Sequence, residues 1–186
     1  MKAAPLLFAA LALSGCATVS HSRQADGFFA RLTALCGKAY EGRLVSDDPL
    51  DADMAGKRLV MHVRDCSASE IRIPFTVGED HSRTWVVSRT ATGLRLKHDH
   101  RHEGGSEDTR SQYGGDTQAA GTESRQEFPA DDFSKELFRR EGIPASADNV
   151  WAFELQPEQL FAYELRRPSR FFRVEFDLTR PLPAHP

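Results

Sequence analysis

The chain has 186 residues, 40% of them hydrophobic and 27% charged, with a formal net charge of −3 at pH 7. That is enough for one domain with a real core and short for two. The mildly acidic balance, without a basic stripe interleaved with aromatics, argues against a nucleic-acid partner.

Residues 1–15 carry one basic side chain, Lys2, then a short apolar run and small residues ahead of Cys16. This is secretory-signal organisation, and the run is shorter than the about 20 apolar residues a membrane span requires. Leu13-Ser14-Gly15-Cys16 resembles a bacterial lipobox, which implies cleavage before Cys16 and lipid attachment to its sulfur and new amino group. An ordinary cleaved signal followed by an unrelated cysteine is the alternative. Ala17 follows where aspartate would stand, and in lipoproteins of the enteric type that implies release to the outer membrane, facing the periplasm. Several acyl chains anchor stably where one is marginal. The expected organisation is a signal peptide at 1–15, a lipidated N-terminus with a short linker at 16–25, and a single β-rich domain at 26–186.

Lipidation of Cys16 leaves Cys36 and Cys66, an even pair in an oxidising compartment. A disulfide between them closes a loop of about 30 residues and contributes about 3 kcal/mol by loop entropy. Two buried thiols or a redox pair are the alternatives, and neither has a C-x-x-C spacing behind it.

Residues 26–36 place Phe28, Phe29, Leu32, Leu35 and Cys36 at helical spacing, with Asp26 as cap and Gly37 as terminator. This amphipathic helix is expected to plug one end of a sheet structure. The period then changes to two. Strands are predicted at 38–45, 58–63, 70–77, 84–90, 94–102, 107–113 and 123–128, and Pro74 assigns its strand to an edge or bulge. The glycine-rich stretch 114–121 reads as a flexible loop. A short helix around Phe133, Leu137 and Phe138, capped by Asp131 and Asp132, precedes three aromatic-rich strands at 150–155, 160–166 and 171–178.

Ten strands at regular spacing, with helices only at the start and late in the chain, give an all-β class, a mainly antiparallel barrel or sandwich. One helix followed by a strand meander resembles the calycin-type barrels, lipocalins and fatty-acid-binding proteins among them. The lipocalin Gly-x-Trp signature is not found after the first helix, where Gly37-Lys38-Ala39-Tyr40 stands. Through His98-Asp99-His100-Arg101-His102 and Tyr113-Gly114-Gly115 the chain also resembles a group of uncharacterised bacterial envelope lipoproteins, a likeness that carries no activity with it.

The densest set of titratable groups lies in this histidine stretch. In a strand, Leu94, Leu96, His98, His100 and His102 share one face. A two-residue turn at Gly104-Gly105 pairs Arg101 with Asp108, Asp99 with Arg110, Leu96 with Tyr113 and His102 with Glu107, setting opposite charges across the hairpin. His100 and His102, about 6.6 Å apart along the strand, can share an ion, with Glu107 as third ligand and His98 nearby. An imidazole-rich set favours zinc, copper or nickel. His100-x-His102, Glu107 and Gly114 are also similar to part of the first cupin motif, implying His100, His102 and Glu107 as ligands of a metal-dependent enzyme. Gly93 lies one place too early for that motif, and no histidine follows before His185. Alternatively the histidines are solvated groups on a protruding hairpin, or a cluster that titrates near 6.5.

No Gly-x-Ser-x-Gly elbow, phosphate-binding glycine loop or His-Glu-x-x-His helix is found. Three functions remain. One is a non-enzymatic envelope binding module, holding a small apolar molecule in a barrel or a metal at the hairpin. The others are a cupin-like enzyme and a structural or protein-interaction lipoprotein.

Overall fold

Ile71, Ile73, Phe75 and Val77 are buried while Arg72, Pro74 and Thr76 between them are only partly so, so β4 (Glu70–Val77) turns one face inward. The chain also forms β1 (Ala39–Leu44), β2 (Leu59–His62), the two-residue β3 (Asp65–Cys66), β5 (Asp80–Arg89), β6 (Leu94–His100) and β7 (Tyr113–Asp116). It continues with β8 (Arg125–Pro129), β9 (Val150–Gln156), β10 (Leu160–Arg167) and β11 (Arg170–Pro181), with helices α1 (Gly15–Thr33) and α2 (Asp132–Arg140). The computed structural model describes the backbone of residues 15–183 and the side chains of residues 23–183. Residues 1–14 of the expected signal peptide, and the side chain of Cys16, lie outside the described residues.

The sheet runs β7-β6-β5-β4-β2-β1-β11-β10-β9-β8, every pair antiparallel, with β3 beside β4 off that path. Its ten strands curl into a nearly closed barrel. The lumen is packed with side chains. Trp85 lies with its ring centre 4.6 Å from that of Phe75, 4.4 Å from Tyr163 and 5.5 Å from Phe153, and Phe161 and Phe176 fill in behind.

Helix α1 and the turn after it plug one end, burying Ala25, Phe28, Phe29, Leu32 and Leu35. The helix begins well before the expected position, at Gly15 rather than near Asp26, so residues 16–25 are helical instead of a linker. The stretch 16–24 contains neither glycine nor proline, so nothing in it breaks the helix. Asp26, expected as a cap, lies within the helix and ion-pairs with Arg89. The disulfide Cys36–Cys66 ties the segment after α1 to β3. Pro74 does not mark an edge, because β4 lies inside the sheet. It falls at the break between β2 and β3, where neither pairs with it, and so its missing N–H is tolerated.

The hairpin register differs from the expected one. His98 lies opposite Tyr113 and Leu96 opposite Gly115, while Arg101 bridges to Glu107 alone. The turn takes three residues, 103–105, with Gly105 at φ 83°, and residues 108–112 leave the sheet. The strand therefore forms not at 107–113 but at Tyr113–Asp116, inside the stretch read as flexible.

Close approach explains that shift. A Cβ on Gly114 would lie 1.9 Å from the Leu96 carbonyl oxygen, and one on Gly115 would lie 1.8 Å from that of Pro129. The two glycines form the seam where β7 meets the end of β8. The Asp131 N–H donates to the Gly114 carbonyl at 2.9 Å, and the buried Ser134 hydroxyl accepts from the Gly114 N–H at 2.7 Å. Asp131 caps α2 by accepting from the Ser134 N–H, so one helix start both ends a strand and closes the barrel.

Gly115→Ala is expected to lower stability in urea unfolding by about 1–3 kcal/mol, because backbone must move to admit the methyl group. Gly104→Ala at the hairpin tip, with nothing within 4 Å of its Cβ, should be nearly neutral.

Candidate functional site

The inward face of β6 passes from Leu94 and Leu96 to His98 and His100, as alternation requires. Across the neighbouring strands Trp85, His98 and Tyr113 stand in one row, and Arg83 stands opposite His100 in the next row outward. The His98 and Tyr113 rings stack at 4.5 Å, with Trp151 5.1 Å from His98.

Hydrogen bonding fixes the state of His98. Its Nδ1 is 3.1 Å from the Tyr113 carbonyl oxygen, which can only accept, so Nδ1 carries the proton. Burial, with the nearby positive groups adding to it, holds the imidazole neutral and drives its pKa from 6.5 to about 3. Nε2 is then an acceptor, and the Tyr163 hydroxyl donates to it at 2.8 Å. Burial raises the pKa of Tyr163 well above the phenol range, so it stays protonated as that bond requires. In the outer row the Tyr113 hydroxyl meets His100 Nε2 at 3.2 Å. Burial, then the charge of Arg83, lowers the pKa of His100.

These groups form the floor of a cavity of about 630 Å³ at the barrel end away from α1. Phe75, Trp85, Leu165 and Phe172 supply its apolar wall. The segment 46–58 between β1 and β2 arches over it, carrying a 3-10 turn at Pro49–Asp51 and presenting Leu50, Met54 and Lys57 to the space. A buried ion pair pins this arch. Arg170 at the start of β11 donates through Nη1 to Asp51 Oδ2 at 3.0 Å, and its Nη2 meets the other oxygen. Asp48 lies 3.1 Å from the same guanidinium. On the facing wall the Arg83 Nη1 donates to Asp80 at 2.5 Å. Burial opposes ionisation of Asp80, but hydrogen bonds from Ser82 and Arg83 outweigh it and hold its pKa at about 2.

The structure does not bring the four expected metal ligands together. His98 has both ring nitrogens engaged within the protein, and its ring centre lies 6.5 Å from that of His100. His102 is exposed at the tip, 3.9 Å from Asp108. Glu107 accepts from Gln112 at 2.7 Å and joins the outward cluster of Asp99 and Arg101. The cupin-like set His100, His102 and Glu107 is therefore divided between the mouth, the tip and the outer face. Among the described residues no group of three or more His, Cys, Asp or Glu side chains is arranged to hold a metal ion.

Sequence reasoning passed over Arg83, Arg170, Lys57 and Tyr163. Arg83 was detectable, since it shares the inward face with Trp85 and Val87, where an arginine breaks the apolar pattern. Arg170 and Asp51 are 119 residues apart in the chain, and no local pattern links them. Searches of family models, curated proteins and solved structures found no match to this chain.

Tyr163→Phe removes the donor to a buried imidazole nitrogen and is expected to cost about 1–3 kcal/mol in chemical denaturation. The depressed His98 pKa has a definite sign: the unfolded state binds the proton first, so stability is full above pH 6.5 and falls with pH toward about 3. The wild type should therefore lose more stability across that window than His98→Gln, measured as the difference between their urea midpoints at each pH.

Proposed function

We propose that the chain is a lipid-anchored envelope protein that binds a small organic molecule at the barrel mouth, without catalysis. The observation that carries the reading is the contrast between the two barrel ends. One is sealed by the apolar face of α1, while the other holds a cavity of about 630 Å³ with aromatic wall and polar floor, within the size range of small-molecule sites. The packed lumen favours the mouth over the barrel interior as the place for a ligand. The engaged nitrogens of His98 weigh against the hairpin as a metal site. For the anchor, Leu13-Ser14-Gly15-Cys16 and Ala17 support lipidation at Cys16 and an outer-membrane position facing the periplasm.

A set of small apolar, zwitterionic and charged organic molecules tests the binding reading. At least one should raise the melting temperature, by linkage, and perturb Trp85 fluorescence. Leu165→Trp, which fills the mouth, should suppress both responses while the protein stays folded. No response from any compound would argue instead for a structural role. Cys16→Ser should abolish labelling by a radioactive fatty acid and move the protein out of the membrane fraction.

A further inference from the structure

The charged groups around the cavity are not equivalent. Asp51 is held by Arg170 and by the Ser46 hydroxyl at 3.0 Å, and Asp80 is held by Arg83 and by the Ser82 amide at 2.9 Å. Both terminal nitrogens of Arg170 are likewise occupied by acids, and its side chain is only 11% exposed. Lys57 and Asp53, both on the arch, add one charge of each sign to the lining. Arg83 is different. Only its Nη1 has an acceptor among the described residues, leaving the Nε and Nη2 edge without one on a 28% exposed side chain that lines the cavity.

A guanidinium edge with two free parallel donors matches the two oxygens of a carboxylate, and one acid already bound to Arg83 does not block the other edge. Beside it stands the apolar wall of Trp85 and Phe172. The His100 imidazole, lying opposite Arg83 in the sheet, adds no second charge while neutral.

From this placement we infer that the mouth selects a monocarboxylic acid with an apolar body, and that Arg83 is the residue that recognises the carboxylate. The inference rests on the reading of the mouth as a binding site and names its ligand class. The carboxylate receives hydrogen bonds from Arg83 Nε and Nη2, and the apolar body lies against the aromatic wall.

Isothermal titration of the full lipidated chain in nanodiscs, with empty nanodiscs as baseline, compares 2-naphthoate with 2-naphthamide, which has the same ring body and no charge. The acid should bind about tenfold or more tightly than the amide, the value of one charge-assisted contact. Arg83→Gln should remove that preference, bringing acid and amide to similar affinity. Because this variant leaves Asp80 unpaired, Asp80→Asn combined with Arg83→Gln provides a second, charge-balanced version with the same expected loss. Equal binding of acid and amide by the wild type overturns the inference, as does a preference that survives both variants. If neither naphthyl compound binds while other molecules occupy the mouth, the inference alone fails. If nothing binds the mouth, the binding reading falls with it.

Discussion

The arrangement of this protein depends on how its barrel is filled. Trp85 lies within ring contact of Phe75, Phe153, Phe161, Tyr163 and Phe176, contributed by four further strands. Aromatic groups of this size supply most of the apolar burial a small barrel needs, and their edge-to-face contacts fix the relative positions of the strands. The same packing fills the lumen around Trp85 and sets the depth of the mouth. His98 lies at that boundary, apolar neighbours below and polar ones above. A neutral imidazole bonded at both nitrogens is a form of histidine that such a boundary accommodates without an unpaired charge.

Outside the barrel the logic is electrostatic. Arg173 pairs with Glu154 at 3.0 Å and with Glu175 at 2.9 Å, and also with Glu164, which is shared with Arg125 at 2.5 Å. Arg125 and Arg166 share Glu127 in turn. This lattice crosses strands β8 to β11, where each isolated surface pair would contribute little. Sharing partners lowers the side-chain entropy lost for each further contact and adds rigidity to the sheet that carries Tyr163 and Phe172. At the seam the hydrogen-bonded ladder is interrupted, and two glycines and Ser134 take over from strand pairing.

Much of the fold was legible because it is written in alternation. The runs through Ile71 to Val77 and Phe172 to Leu178 have period two, the α1 face has helical spacing, and Cys36 and Cys66 were the pair left after Cys16. What misled was local chemistry taken alone. Gly114 and Gly115 have the composition of a loop, yet they form a strand because Leu96 and Pro129 leave no space for side chains. Charge pairing across the hairpin suggested a regular register, but the backbone bulges at 108–112 and Gln112 takes φ 59°. The inward direction of His98 and His100 was readable from parity. The partner of His98, Tyr163, was not, since a contact across a barrel leaves no trace in sequence spacing.

If the mouth binds a ligand as proposed, the arch between β1 and β2 has a kinetic consequence. With α1 blocking the far end and aromatics filling the lumen, a guest at the mouth must leave by the path it entered. Asp51 and Arg170 hold that arch in place through groups buried in the protein rather than through the guest itself. A doorway held equally shut with or without an occupant slows arrival and departure by the same factor, so loosening it changes residence time and leaves equilibrium occupancy unaltered. Under the proposed binding mode the ion pair at the threshold would govern how fast a guest exchanges, a quantity distinct from how tightly the lining holds it.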